Sequence, residues 1–372
     1  MTRVLIRHSL RLSFRLVTSV AFCLFVSAMV FAISTAFAPR LSAQEDTDSD
    51  SDEVSTEEVT SPNPAVRVGP PPPVGVRLGE PIEANQLRVA YRFVRTQSQG
   101  LLIGDRDISA SRVRQDLFTD FEQSPRSLEV TAHVFEVAYA PHPRVTFVVE
   151  VPFIEKELER VGACVIVENP CEDQTEGVGD LSFSMLIPFI RKGVESSHLH
   201  LGFDVPTGSI RRGDGPNRLP YDSQIGNGTV DLEWGWTYRG DLEWVSWGGQ
   251  VVGRHPVGRN DLNYREGSRF EASLWGALRI VSGISTSLRV GWEKRNNLSG
   301  QDSQFVPLTD ASTNPFARGG TVFTISPGLA IEVPQLDDQR LSVEFGIPVH
   351  QDLDGPQLER DWSATVGWQW AF

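Results

Sequence analysis

Cysteine, methionine and histidine are scarce in this sequence, at three, three and seven of 372 residues. That scarcity excludes a cysteine-rich metal scaffold and a disulfide-dense small domain. Basic side chains are also in the minority, 34 Lys and Arg against 48 Asp and Glu. Nucleic acid is therefore excluded as a partner, because phosphate backbones are bound by an excess of cations. After residue 43 no window holds eighteen uninterrupted apolar residues, so no later helix is expected to cross a bilayer. A phosphate-binding loop is missing, and no nucleophile signature surrounds a Ser. The chain is accordingly not read as an enzyme, and no catalytic residue, cofactor or metal is assigned.

What is present begins at the N-terminus. Arg3, Arg7, Arg11 and Arg15 form a basic stretch ahead of a mostly apolar run over residues 16–38. Residues 1–43 read as a cleaved export signal ending at Leu41-Ser42-Ala43; an exit after Ala38 is disfavoured by Pro39. The alternative is a permanent anchor, for which the apolar run is long enough. Removing the signal takes five Arg and no acid, which leaves 29 basic against 48 acidic side chains. Cys23 leaves with it. Cys164 and Cys171, with six residues between them, suggest one disulfide closing a surface loop of an exported chain. Residues 44–84 are first acidic and then Pro-rich, with too little apolar surface to offset ordering, and are expected to be a disordered periplasmic segment.

From residue 85 to 372 period-two alternation recurs, the mark of strands. Segments begin near 85, 127, 145, 179, 197, 228, 244, 268, 284, 321, 340 and 361. Val145, Phe147, Val149, Val151 and Phe153 share one face; Leu341, Val343, Phe345 and Ile347 share another. A soluble sandwich would also alternate. Here the strands run about ten residues or more, the length a tilted strand needs to cross hydrocarbon. Short links (141–144, 191–196, 239–243, 281–283, 334–339) alternate with long ones (97–126, 155–178, 207–227, 255–267, 295–320, 350–360). Short periplasmic turns and long outer loops are the pattern of outer-membrane barrels. The fold class is therefore all-β: an antiparallel transmembrane outer-membrane β-barrel of about twelve strands, both termini periplasmic.

The last strand places Trp362, Ala364, Val366, Trp368, Trp370 and Phe372 on one face. A terminal Phe with alternating aromatics, chiefly Trp368, Trp370 and Phe372, resembles the signature read by the outer-membrane assembly machinery, which becomes an expected partner together with outer-membrane lipid. Tyr139, Trp236, Tyr238, Trp370 and Phe372 are expected at the periplasmic interface, and Phe153, Phe270, Trp292 and Trp362 at the outer one. Two segments strain the pattern. The parity of apolar residues switches within 128–139, which predicts a bulge near His133, and Pro327 interrupts the tenth strand, predicting another.

Three short motifs point further: Gly177-Val178-Gly179-Asp180-Leu181, Gly202-Phe203-Asp204-Val205-Pro206-Thr207-Gly208 and Ile225-Gly226-Asn227-Gly228-Thr229-Val230-Asp231. With the terminal strand, they resemble the outer-membrane transporter family named for the meta-cleavage (MetA) pathway of phenol degradation, over roughly residues 85–372. That resemblance implies a porin-like Gram-negative barrel passing small organic, often aromatic or hydrophobic, solutes.

If the apolar parity faces lipid, the other parity lines the lumen. It carries Arg88, Arg92, Glu150, Asp204, Asp231, Glu233, Arg269, Glu271, Arg279, Arg289, Glu293, Glu332 and Glu344, together with Asp180, His198, His200 and Arg254. Opposed charges there could set selectivity or could be a salt-bridged network satisfying buried charge. The leading expectation is a passive outer-membrane channel for small organic solutes. A sealed barrel acting as scaffold or surface binder is the alternative, and an outer-membrane hydrolase a more distant one.

Overall fold

The structure is a computed structural model that describes residues 69–372 apart from 116–120, 163–170, 215–216, 307–308 and 334–338. The expected export signal and the acidic stretch of 44–68 lie outside the described residues. In chain order, β1 (Leu87–Gly104) and the two-residue β2 (Arg106–Asp107) precede a short helix α1 (Ala110–Gln115), then β3 (Gln123–His142) and β4 (Val145–Gly162). β5 (Cys171–Val178), β6 (Leu181–Lys192) and β7 (Glu195–Val205) follow, with the small hairpin β8 (Gly213–Asp214) and β9 (Asn217–Arg218) in the next connection. β10 (Val230–Asp241), β11 (Val245–Val257), β12 (Tyr264–Arg265), β13 (Arg269–Val281), β14 (Ile284–Arg295), β15 (Ser299–Gly300), β16 (Gly320–Val333) and β17 (Gln339–Ala371) complete the chain.

Eleven of these strands form one antiparallel sheet in the order β1, β3, β4, β6, β7, β10, β11, β13, β14, β16, β17, and β17 pairs back with β1 to close it. β17 is 33 residues long, too long for one crossing. Its residues 339–353 pair with β16 and its residues 353–371 with β1. The rings of Phe345 and Trp362 stack 5.8 Å apart, although seventeen residues of extended strand would separate them by roughly 56 Å. β17 is therefore folded on itself and supplies two passes. Among the described residues the barrel crosses twelve times, as the sequence periodicity anticipates.

The burial pattern is that of a soluble protein turned inside out. Along β10, Val230, Leu232, Trp234 and Trp236 are exposed while Asp231, Glu233 and Thr237 are buried. Glu150 is 3 % exposed and its neighbour-face residue Phe147 is 49 % exposed. In water that arrangement would leave a wide apolar surface uncovered; in a bilayer it places the apolar ring against lipid. Tyr139, Trp236, Phe270 and Phe372 lie on this exposed surface, where interfacial aromatics belong.

The outward face of β4 also records where the membrane ends. Val145, Phe147, Val149, Val151 and Phe153 give way on the same parity to Glu155, Glu157 and Glu159. Eight residues of strand rise about 27 Å, or roughly 20 Å at a tilt near 40°. Beyond that point β4 continues as a ladder paired with β3 and β5. Segments expected as loops at 97–126 and 155–178 thus include strand that stands above the bilayer.

The expected bulge near His133 does not form. β3 keeps unbroken register with β1 and β4 from residue 127 to 139. Apolar Leu128, Val130 and Ala132 simply face inward, while His133 takes the outward parity, its Nδ1 2.8 Å from the Tyr91 hydroxyl. Pro327 likewise causes no slip. The β16–β17 register is the same at Ile325↔Ile347 and Gly328↔Glu344, and the irregularity falls at Phe323/Thr324 instead, opposite Pro348.

Candidate functional site: the plugged lumen

Residues 69–84 enter the barrel rather than leaving it. The prolines from Pro70 to Pro73 cannot join a ladder and hold the chain extended; the Val76 amide then donates to the Pro73 carbonyl to close a turn at 3.0 Å. Leu78 and Asn85 take left-handed φ values of 54° and 64°. The segment returns to β1 at the periplasmic end, where Leu78 and Ile82 pack with Ala138, Ala140, Val148 and Leu186. These are inward-facing apolar positions of β3, β4 and β6. Polar contacts fix the rest. The Pro70 carbonyl accepts from Arg239 (2.9 Å) and Ser246 (2.8 Å), and the Leu78 carbonyl lies 2.8 Å from His198 Nε2. Glu80 pairs with Arg239 and, at 2.9 Å, with Arg340. At the inner end of the plug, Arg77 pairs with Glu150 at 2.7 Å and Glu233 at 2.8 Å. Composition alone marked this stretch as disordered; the barrel interior supplies the charged and apolar partners that its own sequence lacks.

Most of the anticipated lumen charges meet one another. Arg92 bonds Glu150; Arg254 bonds Glu233 at 2.5 Å and Asp204 at 3.3 Å. Arg269 reaches Glu271 at 2.8 Å and Glu293 at 3.1 Å, and Arg289 bonds Glu344. Near the periplasmic end Arg88 bonds Glu136 at 2.8 Å, and Glu332 lies 3.6 Å from Arg340. Asp231 is held by Thr229 Oγ1 (2.7 Å) and Asn227 Nδ2 (3.0 Å). His200 is buried 3.5 Å from Glu233. The Arg279 guanidinium donates to the Glu243 carbonyl at the turn between β10 and β11, at 2.9 Å. Arg77, Glu80, Glu136, Arg340 and Arg360 were not singled out by periodicity; Arg77 and Glu80 lie where no strand pattern exists.

Above the plug the lumen widens into a chamber of about 540 Å³, floored by Val74, Gly75 and Arg77. One wall is apolar: Val94 of β1, Ala132 and Val134 of β3, Pro152 and Ile154 of β4. A second cavity of about 480 Å³ lies toward the outer loops and shares Arg254, Arg269, Glu293, Val322 and Arg360 with the first. Its roof is a loop cluster in which Tyr221, Tyr264 and Leu298 pack together. Asp222 and Arg318 bond twice at 2.6 Å. Burial alone would raise the Asp222 carboxyl, but Arg318 overrides it and holds the group below the ordinary aspartate value.

The three resemblance motifs converge at this mouth. The Asp180 carboxylate accepts from the amides of Gly208 and Asn227, both at 2.8 Å, and Thr207 Oγ1 donates to the Gly179 carbonyl at 2.7 Å. A Cβ on Gly226 would meet the Gly208 carbonyl oxygen at 2.5 Å, so the two backbones can touch only as glycines. The described Cys171 is disulfide-bonded; Cys164 lies outside the described residues. At the seam, Phe372 and Leu87 exchange two backbone hydrogen bonds of 2.8 Å, while Trp368 and Phe372 are exposed outward.

No family model and no curated relative matches the sequence. Among solved structures, an outer membrane channel from Pseudomonas putida superposes with a TM-score of 0.54 at 11 % identity, covering 80 % of this chain and 98 % of that one. The transport unit of the autotransporter AIDA-I from Escherichia coli gives 0.43 at 8 % identity, covering 79 % and 92 %. The TodX monoaromatic hydrocarbon channel gives 0.42 at 10 % identity with the same coverage. The first of these likenesses, taken with ladder closure and the exposed apolar band, makes the fold an outer-membrane β-barrel.

Proposed function

We propose that the chain is a passive channel for small organic solutes, related to the phenol-degradation transporter family. The observation carrying this reading is the chamber above the plug, large enough for a small aromatic molecule, with arginine–carboxylate rows on one side and an apolar wall on the other. Such a lining accepts a solute with both a polar and an apolar face. The convergence of the three motifs at Asp180 supports the family relation, since short Gly-rich segments far apart in sequence serve one clasp. The outward Trp368, Trp370 and Phe372 are suited to recognition by assembly machinery before insertion.

The plug favours a second reading, a sealed scaffold. Solute flux into liposomes and planar-bilayer conductance separate the two, using the wild type and a variant lacking residues 70–83. A channel passes solute in the wild-type form, and more after deletion. Wild-type protein that passes nothing above empty membranes, with flux only after deletion, means a barrel sealed as built.

A further inference from the structure

The two cavities differ in charge balance. Facing the inner chamber are six arginines and six carboxylates. The outer cavity is faced by six cations against four acids, Asp222, Asp231, Glu266 and Glu293. This local excess stands out in a chain whose overall charge is −14. Within the cavity, Arg254, Arg269 and Arg360 are paired with carboxylates, and Arg318 with Asp222. Lys156 donates to the Gln224 carbonyl at 2.6 Å and has no acid within ion-pair distance among the described residues. Arg295, the last residue of β14, lines the same cavity and makes no side-chain hydrogen bond or ion pair among the described residues. Glu293 and Glu266 of the same cavity attract Arg295 through space, but neither lies within ion-pair distance of its guanidinium, so its directional donors stay unused. The same cavity carries the apolar side chains of Leu128, Val130, Val322, Leu353 and Leu358.

We infer that the outer cavity is a capture site for small organic carboxylates, with Arg295 as the carboxylate-binding residue, Lys156 as its cationic neighbour, and the apolar wall taking the solute's body. This deepens the channel reading and rests on it for the solute's onward path. A neutral solute would leave Arg295 without a partner, and inorganic phosphate would leave the apolar wall unused. The charge-balanced chamber below, where no arginine is spare, would then release the anion rather than hold it.

The test is binding of sodium benzoate to the purified, detergent-solubilised full chain by calorimetry or ligand-observed NMR, with benzyl alcohol and inorganic phosphate as comparison probes. Wild type should bind benzoate in preference to both. Arg295→Gln should weaken it roughly tenfold or more, Arg295→Lys should restore part of the loss, and Arg259→Gln in an outer loop should change nothing. The heat-modifiable mobility of closed barrels verifies that each variant is folded. Failure of benzoate to bind, equal binding to Arg295→Gln, or tighter binding of phosphate would each overturn the inference. Benzoate binding without any solute flux would instead remove the channel reading and leave the site standing.

Discussion

Arg77 is the residue on which the plug turns. It joins Glu150 and Glu233 from two strands that are not neighbours in the barrel. Each glutamate keeps a second arginine, Arg92 or Arg254, so Arg77→Ala removes a shared cation rather than orphaning a charge. Breaking a buried pair outright costs about 3–5 kcal/mol; the remaining partners reduce this, and an unfolding cost of about 2 kcal/mol is expected from denaturant titration in lipid vesicles. The same substitution should raise single-channel conductance, because the plug loses its innermost tie. An unchanged stability and conductance would show that Arg77 does not secure the plug. Residue-level chemistry of this kind was only half legible in the sequence. Glu150 and Glu233 stood out by their parity on strands. Arg77 did not, because a Pro-rich stretch has no period from which a facing direction can be read, and Arg295 looked like the edge of a loop.

At the level of elements, the strands were legible because a period of two survives any sheet context, and their count and direction followed from link lengths. Three things were hidden. The parity of β3 looks broken because its inner face is apolar, and sequence cannot tell a lumen wall from a bulge. The extension of β4 above the membrane was read as loop, since glutamates on alternate positions look like solvent-exposed coil. The plug, by composition, is indistinguishable from the rest of a disordered periplasmic segment. The membrane boundary on β4 is directly testable: Val149→Arg, at the lipid face, should destabilise the barrel by roughly 2–4 kcal/mol, whereas Glu155→Arg, past Phe153, should be within about 0.5 kcal/mol of wild type. Similar costs at both positions would place Glu155 within the bilayer. In the extension that follows, the partner of Cys171 is expected to be Cys164. Non-reducing peptide mapping of exported protein should recover that linked pair, and a free Cys164 thiol would refute it.

At the scale of the whole molecule, closure joins the first and last strands of the barrel: Leu87 and Phe372 are hydrogen-bonded partners separated by the whole barrel sequence. Every other ladder links strands close in sequence, so the loop-closure cost of this one is the largest. Deleting Phe372 removes both terminal hydrogen bonds and the ring that packs at a tilt against Trp370, 4.5 Å between centroids. The expected result is slower appearance of the heat-resistant folded band in pulse-chase assembly, with little change in the circular dichroism of barrels that do form; unaltered kinetics would disconnect the terminal residue from closure. Topology adds a constraint to this seam. Residues 69–84 precede β1 and occupy the interior that the pairing of β17 with β1 completes, so once the last ladder is made the plug is fenced by strands on every side and its only exits are the two open ends of the cylinder.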